Sequence, residues 1–248
     1  MSVSRTSLKD AKKLCLSFSG CGFLGVYHFG AAKCFLDNGN NVIERTTRVA
    51  GASAGSLIAA LLAYQPEKLD DGLAILHSIA DEVKRLRYGA MTPGFRIDDQ
   101  LRKILHAFLP EDIGKSNHRE LFVSLTRQKG WNNVLISEFT SRNHLIECLL
   151  ASCYIPMYSR GYASPSPRIN DTAYIDGGYT NNLPVFDDIP SIGCSPFSGA
   201  AHISPNDPPP FYDFPVHIGK QRILLKEARM ALWSKTMTIS ALQASKFL

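Results

Sequence analysis

The chain has 248 residues, 45% of them apolar and 20% charged, with a formal net charge of +5. This suits one large α/β domain or two small ones with a sizeable core, and excludes a disordered chain. The basic excess is mild and no basic run is interleaved with aromatics, so nucleic acid is not an expected partner. The six cysteines, at positions 15, 21, 34, 148, 153 and 194, form no Cys-x-x-Cys pair and sit mostly in apolar runs. That is the usage of buried free thiols in a reducing compartment. Residues 1–10 are polar and lack a signal-peptide core, and no apolar run reaches the length of a membrane span.

Taken in order, residues 13–18 read as a first, central strand. A glycine loop follows, Gly20-x-Gly22-x-x-Gly25, then a nearly all-apolar helix over 26–36 that Asp37-Asn38-Gly39-Asn40 stops. Residues 45–51 form a second, short strand that runs into Gly51-Ala52-Ser53-Ala54-Gly55, with helix-forming residues 56–64 beyond. A serine on so tight a strand-to-helix turn needs small neighbours, since a side chain there would strike the adjoining strand and helix. The helix N-terminus puts positive dipole charge beside Ser53, where an alkoxide or oxyanion would be stabilised. Alone, the Gly-x-Ser-x-Gly pattern serves equally well as a packing turn.

Pro66 opens a helix to about residue 87, amphipathic on Leu69, Leu73, Leu76, Ile79 and Val83. Asp98 is placed to cap a helix through Phe108, with Leu101, Ile104, Leu105 and Phe108 on one face. Residues 121–126 alternate as a strand, with 133–139 as hairpin partner, and Ser141 caps a helix over 143–153. After a loop over 158–171, the short strand Ala173-Tyr174-Ile175 delivers Asp176-Gly177-Gly178, and residues 191–194 form the last strand. Five prolines between 205 and 215 mark an exposed connection, and a final amphipathic helix spans about 216–235. The expected layout is a polar tail over 1–11 and one domain over 12–248, a mostly parallel sheet with helices on both faces.

Three strand ends carry the chemistry. The first glycine loop fits either a dinucleotide fingerprint or an oxyanion loop with N–H groups from Gly20, Cys21 and Gly22. A dinucleotide fold needs an acidic residue closing the second strand, and that strand ends in Ser53 instead, while Glu44 precedes it. The oxyanion reading therefore prevails. A serine hydroxyl needs a base, and Asp176 offers a carboxylate, with Gly177 and Gly178 letting a partner approach closely. A Ser-Asp-His order would recruit His202 or His217, each of which reads more simply as a surface or capping residue. The other histidines show no metal-ligand spacing, and no metal or cofactor is expected.

The motifs Gly20-Cys21-Gly22-Phe23-Leu24-Gly25-Val26-Tyr27, Gly51-Ala52-Ser53-Ala54-Gly55-Ser56-Leu57, Asp176-Gly177-Gly178 with Asn182-Leu183-Pro184, and Ser195-Pro196-Phe197-Ser198-Gly199 resemble those of the patatin-like phospholipase domain. Among its branches the chain is most similar to the animal adipose triglyceride lipases, over roughly residues 12 to 240. The resemblance implies a three-layer α/β/α fold with a mostly parallel central sheet, and hydrolysis of a lipid carboxylic ester by a Ser-Asp dyad without histidine. It implies Ser53 as nucleophile, Asp176 as base, Gly20, Cys21 and Gly22 as the oxyanion loop, and Gly25, Gly51, Gly55, Gly177 and Gly178 as motif glycines. It leaves open acylglycerol transacylation, a retinyl ester substrate, and any protein activator. The different-class alternative is a lipid-surface scaffold without turnover. Ser159-Arg160 depart from the small residues of the family, and the chain stops before the long C-terminal region of its larger members. The expected setting is cytoplasmic, at lipid droplet or membrane surfaces.

Overall fold

The computed structural model describes residues 5–114, 119–161, 164–199, 201–205, 215–218 and 221–224. After a short helix α1 (Arg5–Asp10), strand β1 (Leu14–Phe18) is buried along its whole length, as a central strand covered on both faces must be. A 3₁₀ turn over Gly22–Leu24 leads into α2 (Gly25–Asn38), and α3 (Asn40–Arg45) precedes β2 (Thr46–Ala52). The Asn-Gly-Asn stop does end α2, where the Gly39 N–H donates to the Phe35 carbonyl, 2.9 Å. A second helix starts on the same residue, because the Gly39 carbonyl accepts from Val42 and Ile43.

Helix α4 (Ala54–Tyr64) follows Ser53, then α5 (Leu69–Arg85), α6 (Ile97–Phe108) and the hairpin of β3 (Glu120–Arg127) with β4 (Asn133–Ile136). The Ser141 hydroxyl caps α7 (Arg142–Ser152), accepting from the His144 N–H at 3.1 Å. Next come β5 (Arg168–Ile169), β6 (Thr172–Asp176), the single-turn helix α8 (Gly178–Asn181) and β7 (Ser191–Cys194).

The sheet runs β5-β6-β3-β2-β1-β7, with β4 also on β3. The pairs β3–β2, β2–β1 and β1–β7 are parallel, whereas β4, β5 and β6 join antiparallel. Alternation sends Leu16, Phe18, Val49, Leu121, Val123 and Leu125 to one face, in one core with α2, α4 and α7. On the other face Cys15, Ala50 and Phe122 meet Ile189 and Phe186, while α8 packs on β3 through Ser124 and Thr126. The result is a helix–sheet–helix sandwich. Helix α7 is buried from Leu145 to Ala151 except at Glu147, which faces out to Arg102, so most of the helix is core rather than cover.

Two expectations need correction. Asp98 does not cap α6; it lies inside the first turn, 3% exposed, with Arg160 Nε 3.0 Å from its carboxylate. The helix expected over 216–235 does not start there. Pro215–Ile218 (β8) and Gln221–Leu224 (β9) pair as an antiparallel hairpin, and the remainder of that stretch lies outside the described residues. Val216, Ile218 and Ile223 are β-branched, so local strand preference outweighs the helical spacing.

Candidate active site

The second strand ends in a turn that only small residues allow. Ser53 sits at φ 50°, ψ −130°, a conformation costing about 1–3 kcal/mol in a non-glycine residue. A Cβ at Gly55 would lie 2.2 Å from the Phe18 carbonyl oxygen, and one at Gly51 would lie 2.4 Å from the Gly55 carbonyl. Bonds on each side hold the strained residue. The Ser53 N–H donates to Ser152 Oγ at 2.9 Å, and that hydroxyl donates to the Ser124 carbonyl at 2.8 Å. The Ser53 carbonyl accepts from Ser56 N–H, 2.9 Å, and Ser56 Oγ, 2.7 Å. Ser152 caps nothing and carries no sequence signal, so sequence reasoning missed it.

Strand register brings the carboxylate to the serine. Ala52 pairs with Ser124 on β3, and the next residue, Leu125, pairs with Asp176 of the antiparallel β6. Ser53 and Asp176 thus end two strands that arrive from opposite directions. The Asp176 backbone is tied by its N–H to the Tyr154 carbonyl, 2.9 Å, and by its carbonyl to Thr126 Oγ1, 2.8 Å. Its carboxylate accepts from the Gly178 N–H at 2.7 Å, and the Ser53 side chain is the larger of the two influences that favour its charged form. Burial pushes the carboxyl up from 3.8 to about 7, against the lowering influence of Ser53 and of the Gly178 N–H. A Cβ on Gly177 would lie 2.0 Å from the Ser124 carbonyl, which is why the chain can turn there only as glycine.

The first glycine loop closes over this pair. A Cβ on Gly20 would lie 3.0 Å from Ser53 Cβ and 2.6 Å from Asn182 Oδ1. The Gly20 N–H is shared between the Asn182 carbonyl, 3.2 Å, and Asn182 Oδ1, 3.1 Å, while Asn182 Nδ2 donates to the Gly20 carbonyl at 3.2 Å. Gly178 packs against the same Oδ1, at 2.7 Å from its Cβ position. Asn182 therefore joins the glycine loop to the Asp176 turn. Gly22 adopts φ 54°, and Gly25 has only ordinary contacts, with Leu76 and Ala54.

Behind the loop lies a residue the sequence left unassigned. His28, fully buried on α2, donates from Nε2 to the Ser19 carbonyl at 2.8 Å, so its Nδ1 is the acceptor facing Cys194 Sγ, 3.5 Å away. Burial lowers it to about 4, and the ring is neutral. Its available signal was a histidine inside an apolar helix directly after a glycine loop. His202 accepts the Gly193 N–H at 3.2 Å on β7, and His217 lies on β8, whose side chains are outside the described residues. No histidine is among the described partners of Asp176. Cys21 and Cys153 also adjoin the dyad, and burial pushes both thiols well up, which keeps them protonated. Among the described residues no three His, Cys, Asp or Glu side chains gather as a metal site, and no helix is long and apolar enough to cross a membrane.

An apolar cavity of about 100 Å³ lies between the glycine loop and the helices around α4, the helix that follows Ser53. Gly22 and Gly25 line it from the loop, and Ala54, Leu57, Ile58 and Leu61 line it from α4.

The sequence profile described as Patatin-like phospholipase matches residues 16–189. Patatin-like phospholipase domain-containing protein 4 of Homo sapiens is 38% identical over 219 residues, 88% of this chain and 85% of that protein. Omega-hydroxyceramide transacylase of Homo sapiens is 40% identical over 200 residues, covering 80% of this chain and 37% of that protein. A third relative, 1-acylglycerol-3-phosphate O-acyltransferase PNPLA3 of Homo sapiens, is 36% identical over 191 residues, 77% of this chain and 39% of that protein. The chain thus spans most of the first relative and under two-fifths of the other two.

Proposed function

Since the chain belongs to the patatin-like phospholipase family, we propose that it hydrolyses carboxylic esters of lipids through an acyl-enzyme on Ser53. The observation that carries this reading is the strand register that sets the buried Asp176 carboxylate at the end of β6 beside the strained Ser53 turn. Ser53 Oγ attacks the ester carbonyl as its proton passes to Asp176. A carboxyl raised to about 7 is a far better base at neutral pH than an ordinary aspartate. The protonated Asp176 then gives its proton to the departing alkoxide. In the second half, Asp176 takes a proton from the water that attacks the acyl-serine and passes it to the departing Ser53 Oγ, so the fatty acid leaves and the free serine and carboxylate are restored.

The developing oxyanion is assigned to the N–H groups of Cys21 and Gly22, assisted by the α4 N-terminus. The Gly20 N–H is turned to Asn182, so Gly20 holds the loop over Ser53 rather than donating. Removing one such donor costs about 3 kcal/mol of barrier.

The acyl acceptor can also be an alcohol. Relatives named as a transacylase and an acyltransferase favour this second reading, which keeps the same acyl-serine and replaces water by an acylglycerol. Association with membranes or droplets is part of the proposal and rests on residues 216–248, where six basic residues oppose Glu227 alone, six minus one giving +5. Lys226→Glu with Arg229→Glu should then weaken flotation with anionic liposomes, and binding indifferent to both that reversal and salt removes the idea.

The deciding experiment for the chemistry is labelling with a fluorophosphonate probe alongside hydrolysis of a soluble ester. Ser53→Ala should abolish both in a folded protein. Loss of activity in folded His202→Ala or His217→Ala as complete as in Ser53→Ala would replace the dyad by a triad.

A further inference from the structure

The cavity is built from four helices, each presenting one stripe at a spacing of three and four residues. Helix α5 contributes Gly72, Ile75, Leu76 and Ile79; α6 contributes Leu101, Ile104, Leu105 and Phe108. No charged side chain lines it. Its near end is the chemistry itself, because Gly22 belongs to the glycine loop and Ala54 follows Ser53 directly. Leu76 stands at this level, 3.6 Å from the Cβ position of Gly25, with Ala54 Cβ 3.7 Å from the same point.

The far end is closed by a glycine. A Cβ on Gly72 would lie 2.9 Å from Phe29 Cε1 and 3.2 Å from Leu61 Cδ1. Leu105 and Phe108 share the core of Leu61 and Leu69, while the other end of α6, Ile97 and Ile104, packs with Phe23 and Ile79. Gly72, Phe29, Leu61 and Phe108 therefore form a floor. Seven residues of α4 separate Ala54 from Leu61, a depth of about 10 Å.

We propose that this cavity holds the acyl chain of the ester and that Gly72, against Phe29, Leu61 and Phe108, sets the chain length it accepts. The proposal rests on the acyl-serine reading of Ser53. The occupant follows from position and chemistry: the cavity is apolar and begins at Gly22 of the glycine loop and at Ala54, the residue next to Ser53, where the acyl carbon must sit. With carbon–carbon bonds of about 1.5 Å in a staggered zigzag, a depth of this size takes roughly eight carbons beyond the carbonyl. Gly72 within α5 lets the Phe29 ring and Leu61 pack close against the helix backbone, so the floor lies as deep as it does. A side chain there must push the Phe29 ring and Leu61 toward the cavity and raise its floor.

The test is kcat/KM for p-nitrophenyl esters from acetate to palmitate, on wild type, Gly72→Val and Phe108→Ala, with thermal melting to establish folding. Gly72→Ala serves if the valine variant does not fold, since alanine favours the helix. Gly72→Val should lower the decanoate-to-butyrate ratio by about tenfold, the scale at which a pocket resolves methylene differences. Phe108→Ala should move the optimum to longer chains. Opposite shifts are not what general loosening produces. A profile unmoved in both folded variants overturns the inference.

If wild type hydrolyses none of the esters, the acyl-serine reading falls, and calorimetric binding of the free fatty acids still reads the cavity. Length-dependent binding that Gly72→Val shortens supports the inference; binding without length dependence overturns it.

Discussion

Asp176 carries its charge where water does not reach it, 5% exposed, and this decides both its reactivity and its cost. With the carboxyl raised to about 7, turnover of a soluble ester should climb from pH 5 to pH 8 with its midpoint near 7. A midpoint near the ordinary 3.8 would show that another group limits the rate. The stability effect has the opposite sense. The folded state holds the proton more tightly than the unfolded chain, so this group's contribution falls as pH rises from about 4 to about 7 and stays unfavourable above. Asp176→Asn, which keeps an oxygen for the Gly178 N–H, should therefore melt higher than wild type at pH 8 while losing nearly all turnover. An asparagine variant that melts lower at pH 8 than wild type would contradict the burial argument.

At the scale of elements, the glycine loop is held from two sides. Asn182 grips Gly20, and His28 on α2 grips Ser19, whose N–H is bonded to the Cys194 carbonyl at 3.0 Å. Replacing His28 by Leu leaves the buried Ser19 carbonyl without its donor, a loss of about 1–3 kcal/mol. We expect kcat on a soluble ester to fall more than KM rises, with part of the rate restored by His28→Gln, whose amide can donate to the same carbonyl. Equal changes in His28→Leu and His28→Gln would show that ring volume, not the bond, is what matters. The histidine also makes the loop acid-sensitive. Its folded value of about 4 lies below the ordinary 6.5, so its stabilising share is present above 6.5 and lost as pH falls toward 4. That part of the acid sensitivity should vanish from the denaturant midpoints of His28→Gln.

Across the molecule, the wall of the cavity is tied to the segment after α7 by one ion pair. Asp98 and Arg160 meet at 3.0 Å, with side chains 4% and 17% exposed, and Arg160 also lies over the Tyr154 ring at 5.6 Å. Removing the guanidinium leaves Asp98 as an unpaired buried charge. Arg160→Ala should cost about 3 kcal/mol in urea denaturation, at the lower end for broken buried pairs. The double variant Asp98→Leu with Arg160→Met should recover most of it. A single variant with an unchanged midpoint would mean that water, not Asp98, satisfies Arg160.

The sequence by itself determined the parts that local geometry dictates. Gly51, Gly55, Gly177 and Gly20 stand where backbone passes within about a van der Waals radius of backbone or of Asn182, and such positions announce themselves as glycines between a strand and a helix. Ser53 and Asp176 were legible as candidates for the same reason, Ser53 between Gly51 and Gly55 and Asp176 directly before Gly177 and Gly178. The tertiary structure alone decided the rest. The direction of β6 was not legible, because Ala173-Tyr174-Ile175 reads the same in a parallel or an antiparallel pair, yet only the antiparallel register on β3 sets Asp176 beside Ser53. Ser152 and His28 bond to the site across 99 and 9 residues, and such partners have no fixed spacing to read; Asn182 stands with the aspartate motif in the sequence, but its hold on Gly20 across 162 residues belongs to the fold. The hairpin at 215–218 and 221–224 escaped because its apolar residues satisfy both a helical and a strand period over so short a run. The depth of the cavity belongs to this second group. Gly72 appears in the chain as a weak point of a helix, and only the approach of Phe29 and Leu61 makes it a floor.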